Sequence, residues 1–149
     1  MSGSIPVIDL EASRAPAGFR RAYGDVGFAY LEGHGVAQDL VDRAFAASRR
    51  FHALPLEDKL RLKVNRQHRG YMPFAESKIV SSSIQKATKP NLSESLMIMH
   101  EVEPQDGSHL DDPLAGPNQW PDLPGFREAI TTYEHALNGL ARHLVTVFE

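Results

Sequence analysis

A chain of 149 residues, 42% hydrophobic and 23% charged, has enough apolar content for a real core and too ordinary a charge for wholesale disorder. A net charge of -3 gives no overall drive toward nucleic acid or an anionic membrane, and the absence of cysteine excludes disulfides and thiolate metal sites. No apolar run approaches the ~20 residues that cross a bilayer, and Met1 to Leu10 lacks a signal-peptide pattern, so a cytoplasmic single domain is expected.

Ile5 to Leu10 reads as a short strand with Pro6 at its start, where a missing N–H does least harm. Phe19 to Val26 suits a helix ended by Gly27, and Gly27 to Leu31 a second strand closed by the turn Gly33-His34-Gly35. Leu40, Val41, Ala44, Phe45, Ser48 and Phe51 recur at three- and four-residue spacings, which predicts a helix with one apolar face. Arg43, Arg49 and Arg50 lie largely off that stripe, Pro55 ends the helix, and Leu56 to Leu62 suggests a short one beyond it.

From Val64 to His100 the pattern weakens: Arg69 to Pro73 is turn-like, Ser81 to Ser83 loop-like, and Ser95 to Met99 a plausible strand. Pro104 to Pro121, with four prolines and two glycines, reads as irregular connection. Phe126, Ile130, Tyr133, Leu137, Leu140, Leu144 and Val147 then step by four and three along one long helix, with Leu123-Pro124 near its start. So long a stripe needs a broad apolar surface, and the few short strands could cover only part of it.

Six blocks, in this order, resemble the N-terminal region of the isopenicillin N synthase-like family of iron and 2-oxoglutarate oxygenases. They are Ile5-Pro6-Val7-Ile8-Asp9-Leu10; Gly27-Phe28-Ala29-Tyr30-Leu31 running to His34-Gly35-Val36; Phe51-His52-Ala53-Leu54-Pro55; Glu57-Asp58-Lys59; Arg69-Gly70-Tyr71; and Gly116-Pro117-Asn118-Gln119-Trp120-Pro121 leading into Phe126-Arg127. The resemblance implies an α+β N-terminal lobe of a double-stranded β-helix (jelly-roll) oxygenase, with residues 1–121 as the N-terminal region and 122–149 as a long helix backing the jelly roll. It implies Fe(II), held by two histidines and a carboxylate, with 2-oxoglutarate and a small-molecule substrate in the parent enzyme. It also places the iron ligands beyond this helix, so the expectation is that this chain alone binds neither iron nor cosubstrate.

His109-Leu110-Asp111 matches the letters His-x-Asp, with His135 or His143 as a conceivable distal ligand, but it falls in a Pro/Gly/Asp-rich stretch and a solvated loop is the simpler reading. His34 suits a structural corner, His52 and His68 have basic neighbours, and His100 with Glu101 and Glu103 suits a strand end. Seven Lys/Arg between Arg49 and Arg69 lack interleaved exposed aromatics, so a solvated basic face is preferred to a nucleic-acid site. Trp120 reads as a packing anchor.

By resemblance, Arg69, Tyr71, Lys89, Asn91 and Glu94 flank the mouth of the jelly roll, where an arginine could pair with a substrate carboxylate and a tyrosine could offer a ring face. The plainer alternative is that Arg69 and Glu94 pair with each other or with nearby loops. Two rival readings remain: a complete non-catalytic module that docks a partner on its last helix, and a miniature metal site built on His109, Asp111 and His135.

Overall fold

Val7-Ile8-Asp9 forms β1 (Val7–Asp9), a three-residue strand that buries only its central isoleucine. In the computed structural model, which describes residues 4–12, 15–78, 88–102 and 112–148, β1 runs parallel to β2 (Tyr30–Glu32), pairing Val7 with Tyr30, Ile8 with Leu31 and Asp9 with Glu32. Parallel neighbours need a crossover, supplied by α1 (Ala15–Asp25). Gly33, at φ +63, closes the unit where an added Cβ would lie 2.6 Å from Asp9 Oδ1.

Helix α1 starts four residues before the predicted Phe19. Pro16 and Gly18 hid its first turns, yet proline is tolerated there and Gly18 lets the helix lie against the Ile8 side chain. At the other end the Val26 and Gly27 amides both donate to the Ala22 carbonyl at 2.9 Å, with Gly27 at φ +94. Strand β2 sits later than predicted, beginning at Tyr30 rather than Gly27.

Contacts divide the chain into two compact units, Met1–Ala46 with Glu128–Glu149, and Ala47–Arg127. The core of the first is Ile8, Leu10, Ala15, Phe19 and Ala22, with Ala29, Leu31, Leu140, Leu144 and Val147 packed against it. The stripe of the last helix, α4 (Phe126–Phe148), is therefore partly covered by the chain's own strands and first helix, more than its length suggested. Coverage stops there. Leu137 and Val145 remain 38% and 60% exposed, so apolar side chains of α4 are left uncovered both along the stripe, at Leu137, and beside it, at Val145. The Phe148 side chain falls outside the described residues.

In the second unit, Phe51, Tyr71 and Phe126 are the largest fully buried side chains; the Phe51 ring lies 5.9 Å from Tyr71 and 6.0 Å from Phe126. Phe51 arrives on α2 (Gln38–His52), whose buried face is Ala44, Ala47 and Phe51. Phe45, assigned to the stripe by spacing, is 59% exposed; Ala44 and Ala47 are buried instead. Pro55 does more than end α2. Its carbonyl accepts from the Asp58 and Lys59 amides and starts α3 (Leu56–Leu60).

Strand β3 (Gly70–Met72), read from sequence as a turn, pairs antiparallel with β4 (Ser95–Met97), joining Gly70 to Met97, Tyr71 to Leu96 and Met72 to Ser95. Three residues flanked by glycine and proline give no period to detect, and the partner strand lies far along the chain.

Gly139 is helical within α4, and a Cβ there would meet nothing within 4 Å. Gly139→Ala should therefore raise the unfolding free energy by about 0.5–1 kcal/mol in urea denaturation, through lower unfolded-state entropy.

Candidate functional site

The loop before β3 is tied by Asn65. Its Oδ1 accepts from the Gln67 amide at 2.9 Å and the Arg69 amide at 3.1 Å, while its own amide donates to the Arg69 carbonyl at 2.9 Å. This short closure puts His68 at φ +60 and delivers Arg69 into the interior at 2% exposure. The guanidinium donates from Nη1 to the carbonyls of Gln67 (3.0 Å) and Leu114, and from Nη2 to that of His100 (2.8 Å). Among the described residues no carboxylate pairs with it, so carbonyl dipoles hold the charge. Arg69 is thereby occupied as a clamp between three stretches of backbone, rather than extended as a fork toward a ligand.

Gly70 follows at φ +114, and a Cβ there would lie 2.3 Å from both the Leu62 carbonyl oxygen and Gln119 Nε2. Gln119 Nε2 donates to the carbonyls of Arg69 (2.6 Å) and Lys63 (3.0 Å), so the Trp-Pro segment is stitched to β3 through a position that only glycine fills.

Tyr71 comes next, 1% exposed, and its hydroxyl donates to Glu94 Oε2. Lys59 reaches the same oxygen at 2.8 Å and the His52 carbonyl at 3.2 Å, with its ammonium 5.3 Å from the centre of the Tyr71 ring. Lys59 is only 7% exposed. The hydrogen bond to Glu94 raises the Lys59 pKa against its desolvation. Burial, then the bond to Glu94, raises that of Tyr71. Hydrogen bonds from Lys59 and Tyr71 hold the Glu94 carboxyl below the usual carboxylate range.

Of the five predicted site residues, the structure thus joins Tyr71 and Glu94 directly and places Arg69 two residues from Tyr71, on separate partners; the suggested Arg69–Glu94 pair is not among its described contacts. Asn91 is exposed and bonds Ser77, amide to carbonyl at 2.8 Å and Nδ2 to Oγ at 3.2 Å; Lys89 is also exposed. Lys59 and Gln119 were missed, because nothing in their spacing separates a buried polar side chain from a solvated one.

Other candidates resolve locally. His34 Nδ1 accepts from the Val36 amide at 3.1 Å and closes its turn. His52 Nδ1 lies 2.9 Å from the Ser48 carbonyl, so that nitrogen carries the proton. Glu101 holds the Trp120 indole N–H at 3.0 Å, the Asn118 amide at 3.3 Å and the Arg127 guanidinium at 3.5 Å, and Trp120 packs on Phe126. A cleft of about 380 Å³ beside Leu54, Arg61 and Trp120 includes none of the five. His109, Asp111, Glu103 and Ser81 to Ser83 lie outside the described residues. Among the described residues no three His, Cys, Asp or Glu side chains converge to hold a metal ion, and His135 and His143 are exposed on α4, so the described residues do not assemble an iron site.

Comparison with known proteins gives the surrounding context. Residues 5–123 match the family model for the N-terminal region of "non-haem dioxygenase in morphine synthesis". The chain is 33% identical over 147 residues to an azadirone synthase of Melia azedarach, covering 95% of this chain and 43% of that protein. It is 34% identical over 128 residues to a 2-oxoglutarate-Fe(II) type oxidoreductase of Emericella nidulans, covering 81% of this chain and 35% of that protein. Among solved structures, a 2OG-Fe(II) oxygenase family protein from Caulobacter crescentus shares the fold at TM-score 0.73 and 21% identity, over 99% of this chain and 48% of that one. A Neurospora crassa protein solved in complex with alpha-KG does so at TM-score 0.74 and 24% identity, over 97% and 46%. The chain thus spans less than half the length of these relatives.

The geometry forecasts two measurements. Gly70→Ala should cost about 3 kcal/mol in urea denaturation, since positive φ and steric overlap act together. Unfolding free energy should also show a plateau from about pH 5 to about pH 9. Below it, the contribution of Glu94 is lost as pH falls through the depressed folded pKa. Above it, those of Lys59 and Tyr71 are lost as pH rises through their raised folded values. In Glu94→Gln the loss on the acid side should shrink.

Proposed function

The chain belongs to the non-haem dioxygenase family, whose members are iron- and 2-oxoglutarate-dependent oxidoreductases, and from that premise we propose that it forms the N-terminal lobe of such an oxygenase. The jelly-roll core, the iron ligands and the cosubstrate arginine are then supplied by polypeptide outside these 149 residues. The observation that carries this reading is the family match over residues 5–123 by a chain that spans 43% of its azadirone synthase relative. The apolar side chains of α4 left exposed, Leu137 and Val145, support it, because a jelly-roll sheet backed by this helix would bury them.

In this reading the lobe does not perform the redox chemistry. Its part is shape: the β3–β4 pair forms a wall at the pocket mouth, with Glu94 at its edge and Lys89 and Asn91 on the approach. Arg69 and Tyr71, both buried, set the position of that wall. A well-placed wall orients the substrate C–H bond, and small displacements there cost rate out of proportion to their size. The substrate is a small organic molecule, in keeping with relatives named as an azadirone synthase and a homoarginine-6-hydroxylase. A non-catalytic module docking a partner on the exposed side of α4 is the reading to be separated from this one.

Extending the reading frame past Glu149 separates them. A downstream His-x-Asp, a later His and an Arg-x-Ser are expected, together with iron-dependent 2-oxoglutarate consumption by the extended protein and none by residues 1–149. A stop codon directly after Glu149 in the native gene, or an extended protein inert toward 2-oxoglutarate, would refute the oxygenase assignment.

A further inference from the structure

We propose that Glu94 is itself a ligand-binding group, a carboxylate fixed by Lys59 and Tyr71 to accept a hydrogen bond from a nitrogen donor (ammonium, guanidinium or amide) on the molecule that meets this wall. The inference rests on the reading of the β3–β4 pair as a pocket wall, and it reverses the polarity expected from sequence. There, Arg69 was to meet a substrate carboxylate, but that guanidinium is 2% exposed, its Nη groups end on three backbone carbonyls, and its Nε is buried. The charge left at the rim is negative.

The asymmetry of the buried ion pair carries the argument. A lock between α3 and the β3–β4 pair requires no charge, since apolar side chains of similar volume serve equally well or better. Here the lysine side chain is 9% exposed and the glutamate 29%, so the lysine is the interior member of the pair and the glutamate the one that reaches solvent. Both interior partners converge on one oxygen, Oε2, with Lys59 at 2.8 Å and the Tyr71 hydroxyl beside it. That arrangement pins one carboxylate oxygen through interior contacts, so a ligand meeting the carboxylate finds an acceptor with less rotamer entropy left to lose.

The groups acting on Glu94 are Lys59 from α3, Tyr71 from β3 and His52 from α2, and together they hold the carboxyl ionised below its usual range. A rim carboxylate that stays charged through mildly acidic pH favours a cationic or N–H donor and repels a carboxylate-bearing ligand.

The test uses residues 1–149 with ¹³C-carboxyl-labelled glutamate, the Glu94 resonance being assigned by its loss in Glu94→Gln. Agmatine, a guanidine and amine probe, is titrated at neutral pH and constant ionic strength, with adipate as the dicarboxylate control. A saturable shift of the Glu94 signal in the millimolar range is expected with agmatine alone, with affinity about tenfold lower in Glu94→Gln by a second binding readout. Agmatine binding should be lost on acidification at a midpoint below the usual carboxylate range, and Lys59→Met should move that midpoint upward, which a purely structural lock would not require. If Lys59→Met does not fold, Lys59→Arg must leave the midpoint depressed. A Glu94 signal unmoved by agmatine, or moved no more than those of other exposed glutamates, overturns the proposal. Turnover of 2-oxoglutarate by the extended protein with a silent Glu94 removes this inference alone; a responsive Glu94 without turnover removes the oxygenase reading alone.

Discussion

At Arg69 a guanidinium that cannot shed its proton is enclosed by protein, and its two Nη groups reach the carbonyl oxygens of Gln67, Leu114 and His100. Burying a charge is costly, and with Nε left without a partner among the described residues the Nη contacts must offset that cost, so the three chain segments that carry those oxygens are held to it. The loop before β3, the end of the β4 segment and the run preceding Trp120 are therefore one assembly. Gln119 completes it by holding the Arg69 and Lys63 carbonyls from the other side, over a glycine with no room for a side chain.

Lys59 obeys the same constraint with a different solution. Its ammonium is matched by a carboxylate, a backbone carbonyl and the face of a tyrosine ring. The buried arginine meets only backbone, which makes it a fastener. The buried lysine meets a carboxylate that is partly in solvent, which couples the interior of the second unit to its surface. The blocks Phe51 to Pro55, Glu57 to Lys59 and Arg69 to Tyr71 carry both cations together with the His52 carbonyl and Tyr71, while Glu94, Gln67, His100 and Leu114 come from outside them.

Much of the scaffold was legible because it obeys periodic rules. Helices α2 and α4 follow from apolar spacing, and the Trp120 anchor and the His34 corner behave as read. Periodicity fails where an element is too short to show a period, as at β3, or where small residues decide the packing, as with Ala47 replacing Phe45 on the buried face of α2. The identity of the candidate site residues was partly legible, but their roles were not. Whether Arg69 reaches outward or is folded in depends on the Asn65 loop closure and on carbonyls 31 and 45 residues away in sequence, which no local pattern encodes. The long stripe of α4 was read as one seam awaiting a partner. Leu140, Leu144 and Val147 pack on Ile8, Phe19 and their neighbours, while Leu137, two turns before Leu144 on the same face, and Val145, beside the stripe, do not.

The central claim is that the Arg69 guanidinium organises the second unit, and Arg69→Lys tests it most directly. Lysine keeps the charge but cannot span three carbonyls with a planar fork. Amide hydrogen exchange followed by mass spectrometry should show protection lost together over residues 65–72 and 112–120, while peptides from α1 and β1 exchange as before. Unchanged protection across both segments of the second unit would contradict the account.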